Sequence, residues 1–385
     1  MTREGDARSE TRSTYVVRLT PKGRGAIATL LVDGPKAASI VGACLTEPAG
    51  SLEDNRLIVR HFGGSSGEQV VIRRRSAMSI ELHCHGGRAA VDMIENVLVK
   101  RGACRIDWRR WSKAVAPDSI TAIVSIALAD ARTARTASIL LDQYNGALQK
   151  AFDTISKAFA TQDFGAVEKM VSLLLSRADL TRHLTDPWRV VVAGRANAGK
   201  SSLVNAILGY DRAIVHHRPG TTRDVVTAET ALDGWPVVLI DTAGLRSATE
   251  PIESLGVQLA SNEARNADLV ILVFDAAEPW STADKSLMER YPRAIVVYTK
   301  VDIATDDQAR PPGLRTSAVA KYGIEELSRV VSERLVPKPP HPRSPVLITE
   351  DQIGSLVDVA NAMSCHDPIA GAKLFEQVIN GNRVA

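Results

Sequence analysis

The residues whose types and spacing are best suited to chemistry lie between Gly194 and Ser202. This segment reads Gly-Arg-Ala-Asn-Ala-Gly-Lys-Ser-Ser, the pattern GxxxxGKS, with an apolar run at 190–193 before it and a helical pattern from 203 after it. Glycine lets the backbone turn so that successive N–H groups point into one anion-sized hollow, and the helix start adds partial positive charge there. The pattern therefore predicts a phosphate-binding loop. Its expected nucleotide contacts are Asn197, Ala198, Gly199, Lys200, Ser201 and Ser202, with Lys200 on the β- and γ-phosphates and Ser201 on Mg²⁺.

Two segments further along the chain are predicted to meet the metal and the γ-phosphate. The stretch 216–224 offers the hydroxyls of Thr221 and Thr222, which can close over Mg²⁺. A hairpin with an Asp-Gly turn is predicted over 225–240, and its second strand leads directly into Asp241-Thr-Ala-Gly244. We expect Asp241 to enter the Mg²⁺ shell and the N–H of Gly244 to contact the γ-phosphate.

Two later segments are predicted to recognise the base. The motif Thr299-Lys300-Val-Asp302 follows a predicted strand at 294–298, and its Asp carboxylate can accept two N–H bonds from guanine that adenine does not offer. The segment 316–318 follows the next short strand, and we expect the N–H groups of Ser317 and Ala318 to contact the guanine oxygen. Five such elements in this order, each at a strand end, predict GTP binding.

The residue that orients the attacking water is not at the position where Ras-type enzymes carry it. Position 245 is leucine, where Ras-type enzymes carry glutamine, and an aliphatic side chain cannot hold water by hydrogen bonding. Glu253 is close in the sequence and chemically able to take this role. The predicted catalytic residues are therefore Glu253, Lys200 and Thr222.

Composition is that of an ordinary globular protein. Of 385 residues, 45% are hydrophobic and 24% charged, with a net charge of +3 that argues neither for nor against nucleic acid. The four cysteines form no CxxC pair, which indicates a reduced, cytoplasmic chain. No apolar run approaches bilayer length and the polar start is no signal peptide, so no membrane partner is expected.

Periodicity predicts an α/β P-loop GTPase domain inserted in an all-α helical domain, preceded by a small α+β N-terminal domain. Alternating strands and a helical pattern fill 15–107, and long alanine- and leucine-rich helices occupy 119–184. The proline-rich stretch 337–343 reads as a stiff linker before two further helical patterns. The predicted divisions are a disordered tail 1–14, the N-terminal domain 15–117, the helical parts 118–186 and 337–385, and the GTPase domain 187–336.

Two smaller clusters can be interpreted either as structural or as functional. His83 and His85 share one face of a predicted strand and Cys84 the other, because side chains alternate, so the three cannot close one tetrahedral zinc site. The segment 108–113, Trp-Arg-Arg-Trp-Ser-Lys, has a composition suited to stacking on bases and contacting phosphates. The alternative for this segment is a solvated hinge with two packed tryptophans, which we favour.

Several segments together resemble the MnmE (TrmE) family of tRNA-modification GTPases. They are GRANAGKSSLVNAIL, IVHHRPGTTRDVV, LIDTAGLR and IESLG, and, in the first 100 residues, TPKGRGAIATLLVDGPKA and IELHCHGG. The resemblance covers most of the chain and includes the split helical domain. It implies a folate-binding and dimerising N-terminal domain, for which Arg24 and Glu81 are the candidate tetrahydrofolate contacts.

The resemblance also implies a mechanism. Asn197 would ligate K⁺ together with backbone carbonyls near His216 and Arg218, and this ion would replace an arginine finger when two nucleotide domains meet. Glu253 falls on the family's water-positioning glutamate, which acts through a bridging water. The implied partners are a second copy of the chain, the flavin-dependent protein MnmG and tRNA, whose wobble uridine is modified with a tetrahydrofolate as one-carbon donor.

The sequence departs from the family pattern at several places. It shows no Cys-Ile-Gly-Lys tail, Arg73-Arg-Arg-Ser-Ala-Met78 replaces a Thr-Gly-Glu-Asp loop, and Thr299 replaces the usual asparagine. Arg218 suggests a further hypothesis, in which its guanidinium group competes with K⁺ for the developing charge. The alternative function is a GTPase switch or binding module without tRNA-modifying chemistry. An Era-type ribosome-assembly GTPase would need a KH module with a GxxG loop, and none follows Pro337.

Overall fold

The computed structural model describes residues 13–23, 25–46, 55–64, 67–116, 118–210, 226–241, 265–305 and 310–380. The chain divides into two compact units, 1–117 and 118–385. Within the described residues, no helix is both long and apolar enough to cross a bilayer. Of the predicted tail 1–14, only Ser13 and Thr14 are described, and Thr14 is buried, where its hydroxyl accepts the N–H of Lys36.

The first unit is a six-stranded sheet with helices. Its strands are β1 (Tyr15–Arg18), β2 (Ile27–Asp33), β3 (Leu57–Phe62), β4 (Glu68–Ser76), β5 (Ser79–His85) and β6 (Cys104–Ile106). Its helices are α1 (Ala37–Gly42), α2 (Arg88–Lys100) and α3 (Trp108–Val115). The strand order is β3-β4-β5-β2-β1-β6, with β1 and β6 parallel and the other pairs antiparallel.

Alternation along the strands separates a buried face from a polar one. Ile80, Leu82 and Cys84 of β5 are buried with the apolar stripe of α2, whereas Glu81 and His83 lie on the opposite face. Burial raises the pKa of the Cys84 thiol, which disfavours the thiolate that a metal needs. Among the described residues no cluster of three metal-binding side chains occurs.

The segment 108–113 is not a hinge, which corrects our interpretation of it. Asp107 caps the helix by accepting the N–H of Arg109 at 2.9 Å, which satisfies one of the donors left free at a helix start. Trp111 Nε1 donates to Asp33 on β2 at 3.0 Å and so ties α3 to the sheet. The sequence did not indicate this helix for two reasons. The segment is rich in charged residues, and the residue that fixes it, Asp33, lies on a strand far away along the chain.

The second unit contains a mostly parallel sheet. Its strands are β7 (Trp188–Gly194), β8 (Val226–Leu232), β9 (Trp235–Asp241), β10 (Leu269–Asp275), β11 (Ile295–Thr299) and β12 (Leu314–Arg315). The order is β12-β11-β10-β7-β9-β8, and β8 is antiparallel to β9. The predicted Asp-Gly hairpin is confirmed, since Asp233 and Gly234 both have the positive φ that its tight turn needs.

Helices precede, follow and alternate with these strands along the chain. They are α4 (Ser119–Asp130), α5 (Ala134–Tyr144), α6 (Ala147–Ala160), α7 (Phe164–Leu175), α8 (Ala178–His183), α9 (Lys200–Tyr210), α10 (Thr282–Arg290), α11 (Ile324–Leu335), α12 (Glu350–Ser364) and α13 (Pro368–Asn380). Helices from the two ends of the unit pack together: Phe375 of α13 meets the ring of Phe152 on α6 edge to face, with centroids 5.5 Å apart.

The helices that precede the sheet also contact its hairpin. Arg135 of α5 donates to the carboxylate of Asp233 at 2.6 Å, and its guanidinium carbon lies 4.6 Å from the ring centre of Trp235. Arg132 donates to Glu229 on β8 at 2.7 Å. These contacts connect the far end of the β8–β9 hairpin to the helices.

Candidate nucleotide-binding site

The carboxyl ends of the parallel strands meet at one edge of the sheet and bring the predicted segments together. β7 ends at Gly194, β9 at Asp241, β10 at Asp275 and β11 at Thr299. In open parallel sheets, this edge is where ligands bind. Residues that are 105 positions apart in the sequence, from Gly194 to Thr299, therefore line one site.

The loop after β7 can be built only with glycine at its two ends. A side-chain carbon at Gly194 would lie 2.2 Å from the carbonyl oxygen of Val273 on β10, which no side chain tolerates. Gly199 has φ +84°, and a side-chain carbon there would lie 3.3 Å from the hydroxyl of Thr299. Asn197 between them also has a positive φ, a conformation that asparagine tolerates better than most residues.

Lys200 begins helix α9 and lies inside this loop. It is only 5% exposed, and its ammonium group donates to the carbonyls of Gly194 at 3.1 Å and Arg195 at 2.7 Å. A buried lysine needs such partners, and it puts one positive charge at the centre of the loop. Ser201 and Ser202 follow on the first turn of α9 and are exposed, whereas Ala198 is buried.

The residues expected to hold Mg²⁺ are adjacent. The hydroxyl of Ser201 donates to the carboxylate of Asp241 at 2.5 Å, although the two residues lie on α9 and β9. Asp241 is only 3% exposed. A hydroxyl and a carboxylate oxygen are hard ligands of the kind that Mg²⁺ prefers, so this pair fits the ion.

The base-recognition motif starts at the end of β11. Thr299 is buried, and its hydroxyl donates to the carbonyl of Ala198 at 2.6 Å and lies 3.2 Å from that of Phe274. The residue that replaces the usual asparagine thus still connects the motif to the phosphate loop. Lys300 follows with φ +59° and its ammonium group pairs with Asp275 at 2.6 Å, and Asp302 is exposed.

The second base-recognition segment is bonded to the first. The N–H of Thr316 donates to the carbonyl of Tyr298 at 2.7 Å, and the N–H of Val301 donates to the carbonyl of Thr316 at 3.4 Å. Ser317 is 1% exposed and exchanges two backbone hydrogen bonds with Tyr322, which rigidifies the turn that carries Ala318. The two segments that were predicted to read guanine therefore share one edge of the sheet.

Several predicted residues lie outside the described part of the chain. They are Arg24, His216, Arg218, Thr221, Thr222, Gly244 and Glu253. The assigned roles of these residues, in Mg²⁺, K⁺ and folate binding and in catalysis, stay predictions. Glu81 is described, and its carboxylate lies 3.5 Å from both Arg73 and Arg75 and 3.7 Å from His83.

Sequence reasoning missed Asp275, the partner of Lys300. Its signal was present, because a carboxylate that ends an apolar strand in a parallel sheet lies at the ligand-binding edge. A second carboxylate, Asp268, lies before β10 at the opposite end of that strand. Burial acts to raise its pKa, but hydrogen bonds from His183 and from the N–H of Arg189 outweigh this and hold the pKa below the ordinary value. Asp268 is therefore a structural carboxylate.

Comparison with known proteins agrees with this geometry. The family described as "50S ribosome-binding GTPase" matches residues 189–300. The tRNA modification GTPase MnmE of a Synechococcus species (strain WH7803) is 32% identical over 361 residues, covering 81% of this chain and 78% of that protein. The MnmE of Chloroflexus aurantiacus is 31% identical over 376 residues, covering 84% and 82%. Because the similarity extends across both units and far beyond the nucleotide site, this chain belongs to the MnmE family of tRNA modification GTPases.

Proposed function

We propose that this GTPase acts in the modification of the wobble uridine of tRNA, using GTP hydrolysis to open and close a homodimer. The observation that carries the proposal is the match to MnmE proteins over 81% of the chain, which includes the first unit as well as the GTPase domain. The family model that covers the GTPase domain alone, at 189–300, does not by itself point to tRNA. The tRNA substrate would place the protein in the cytoplasm.

The proposed division of the chain follows the sequence prediction. The N-terminal domain is 15–117, and the GTPase domain 187–336 is inserted between the helical parts 118–186 and 337–385. Packing of Phe152 on α6 against Phe375 on α13 supports one helical domain made from both parts. Gln143 supports it too, because its side chain donates to the carbonyl of Ser344 at 3.0 Å and accepts the N–H of Val346 at 3.2 Å.

The proposed roles in the GTPase site combine the described contacts with the sequence predictions for Thr222 and Glu253. Lys200 would exchange its bonds with loop carbonyls for bonds with the β- and γ-phosphates, and the N–H groups of Ala198 and Gly199 would add to them. Ser201 and Asp241, with Thr222, would hold Mg²⁺, which neutralises phosphate charge when bound. Asp302 would accept the guanine N–H groups. For hydrolysis we propose that Glu253 orients the water through a bridging water.

A potassium ion is the proposed substitute for an arginine finger. Asn197 lies exposed at the tip of the phosphate loop, where its amide oxygen can take part in a shell completed by carbonyls near His216 and Arg218. A cation at this position would neutralise charge that develops as the γ-phosphate leaves. The ion would be enclosed when two nucleotide domains meet, which makes hydrolysis depend on the dimer.

A GTP switch without one-carbon chemistry is the second candidate. It is favoured by the ion pairs of Glu81, the candidate folate contact, with Arg73 and Arg75 from the segment that departs from the family pattern. A carboxylate already paired with two guanidinium groups has less capacity to bind a pteridine ring. A GTP switch of this kind would not need the partners MnmG and tRNA, which the tRNA-modification proposal requires.

Nucleoside mass spectrometry of tRNA tests the proposal. In cells that lack this chain, we expect modification of the wobble uridine to disappear, and to return with the wild-type chain but not with Lys200→Ala. Lys285→Ala, a change to an exposed lysine on α10, is the matched control and should restore it. Unchanged modification in the deleted cells would contradict the tRNA role and leave the GTP switch as the function.

A further inference from the structure

The turn after β10, residues 275–278, directs its carbonyl groups at one guanidinium group. Arg310 donates to the carbonyl of Asp275 at 2.9 Å and to those of Ala276 and Glu278 at 2.7 Å each. A tight turn leaves carbonyls that the sheet cannot satisfy, and each needs a donor. Arginine offers five N–H donors in a rigid planar fork, so one side chain can fix the shape of this turn.

The same turn holds the base-recognition motif. One carboxylate oxygen of Asp275 pairs with the ammonium group of Lys300 at 2.6 Å, and the other accepts the N–H of Ala277 at 2.9 Å. The N–H of Ala276 donates to the carbonyl of Thr299 at 2.8 Å. Because both oxygens of Asp275 are engaged, its orientation follows the shape of the turn.

Lys300 depends on this support. Its φ of +59° lies in the left-handed region, which costs a residue with a side chain free energy and persists only where the surroundings enforce it. The chain turns sharply at this residue, and Asp302 follows two positions later. The direction in which the Asp302 carboxylate points is therefore tied to the anchored conformation of Lys300.

Arg310 is itself fixed against β11. Its guanidinium carbon lies 5.5 Å from the ring centre of Tyr298, and the Tyr298 hydroxyl donates to the carbonyl of Pro311 at 2.8 Å. These residues line a cavity of about 220 Å³ behind the base-recognition motif. The contacts form a closed loop from β11 through Arg310 to the turn and back to Lys300.

We propose that Arg310 is a positioning residue for guanine recognition. It fixes the turn 275–278, the turn orients Asp275, and Asp275 holds Lys300 and thereby the loop that presents Asp302. In this proposal Arg310 acts through the turn and not through a contact of its own with the nucleotide. The inference rests on guanine-nucleotide binding and adds a specificity-determining residue that no pattern in the motif contains.

Nucleotide competition measures this role. A fluorescent GDP analogue is displaced by GTP and by xanthosine triphosphate. In the xanthine base a carbonyl replaces the amino group that donates one of the two N–H bonds to Asp302, while the phosphates are the same. In Arg310→Ala we expect GTP to bind about tenfold more weakly, the loss of roughly one charge-assisted hydrogen bond, while the xanthosine nucleotide changes little. The dissociation constant for xanthosine triphosphate divided by that for GTP should therefore fall about tenfold. A general loss of stability would weaken both nucleotides alike.

A double-mutant cycle tests the route through Asp275. If Arg310 acts through Asp275, the double variant Arg310→Ala with Asp275→Asn should show the same selectivity as Asp275→Asn alone. Selectivity losses that multiply, or unchanged selectivity in Arg310→Ala, would overturn the proposal. Arg329→Ala removes an arginine from an exposed ion pair on α11 and should leave selectivity unchanged.

A conservative variant and the wild-type chain separate a positioning role of Arg310 from misfolding and from a wrong nucleotide site. Arg310→Lys keeps the charge but cannot reach three carbonyls, so we expect it to restore only part of the selectivity, and it replaces the alanine variant if that variant does not fold. The wild-type chain is the reference for binding itself. If it failed to bind GTP, the nucleotide site would be wrong, whereas normal wild-type selectivity with an unaffected Arg310→Ala would reject the positioning role alone.

Discussion

At the scale of the residue, Thr299 shows how a substitution in a familiar motif can keep its structural function. The hydroxyl group takes over the bond that joins the end of β11 to the phosphate loop, at 2.6 Å from the carbonyl of Ala198. Threonine is shorter than asparagine, and its hydroxyl reaches the backbone oxygen of Ala198. In this chain the residue at the departure from the family pattern therefore joins the base-recognition motif to the phosphate loop.

This connection gives a prediction for Thr299→Val. The isosteric change keeps the volume but removes the hydroxyl, so the buried carbonyl of Ala198 loses a donor, at a cost of about 1–3 kcal/mol. We expect GTP affinity, measured by calorimetry, to fall about tenfold or more with it. Thr299→Ser retains the hydroxyl and is the matched control. Equal affinity of the valine and serine variants would show that the bond does not matter for nucleotide binding.

At the scale of the element, the β8–β9 hairpin is held at its turn by α5. The Arg135 guanidinium group donates to both the carbonyl and the carboxylate of Asp233 and stacks over Trp235, whose side chain is 1% exposed. An exposed ion pair alone is worth little, but a cation over an aromatic ring and a bond to a backbone oxygen add to it.

For Arg135→Ala we expect the free energy of unfolding to fall by about 1 kcal/mol, because these modest terms add. Hydrogen exchange of the amides around the turn at 233–234 should become faster, while exchange in β7 stays unchanged. The control is Arg290→Ala on α10, outside the hairpin, which likewise removes a guanidinium group from an aromatic ring, that of Tyr291. An unchanged exchange rate at the turn would mean that α5 does not restrain it.

Local patterns predicted those elements whose determinants lie within a few residues of one another. The phosphate loop, the Asp-Gly hairpin and the helices after residue 118 carry their glycines, turn residues and apolar periodicity in the sequence itself. Contacts between distant residues were missed, because nothing near Arg135 indicates Asp233, 98 positions later. The same holds for Trp111 with Asp33, so helix α3 was taken for a hinge.

At the scale of the whole molecule, one face of the first unit's sheet exposes apolar side chains. Leu57 and Val59 of β3 are 63% and 50% exposed, and the pairing of β3, β4 and β5 puts them on the same face as Glu81 and His83. Two neighbouring exposed apolar side chains on one face fit a protein interface better than scattered single ones do. It supports the proposed homodimer through the N-terminal domain.

Leu57→Lys combined with Val59→Lys should therefore give a monomer. Two ammonium groups in the middle of an interface lose hydration without gaining partners, and they also repel the same groups on the second copy. Sedimentation velocity would show the change, with Met78→Lys, an exposed apolar residue in the β4–β5 turn, as the control. A dimer that persists in the double variant would place the interface elsewhere.

The hairpin also has a mechanical consequence. β9 runs from Trp235, beneath Arg135, to Asp241, the proposed Mg²⁺ ligand, a length of about 20 Å for seven residues, and it is hydrogen-bonded on both sides by β7 and β8. A strand paired on both sides has little freedom to bend, so β9 connects its two ends directly. Coupling of this kind is reciprocal. If a molecule that binds at α5 changes the affinity for nucleotide through Trp235, nucleotide must change the affinity for that molecule by the same factor.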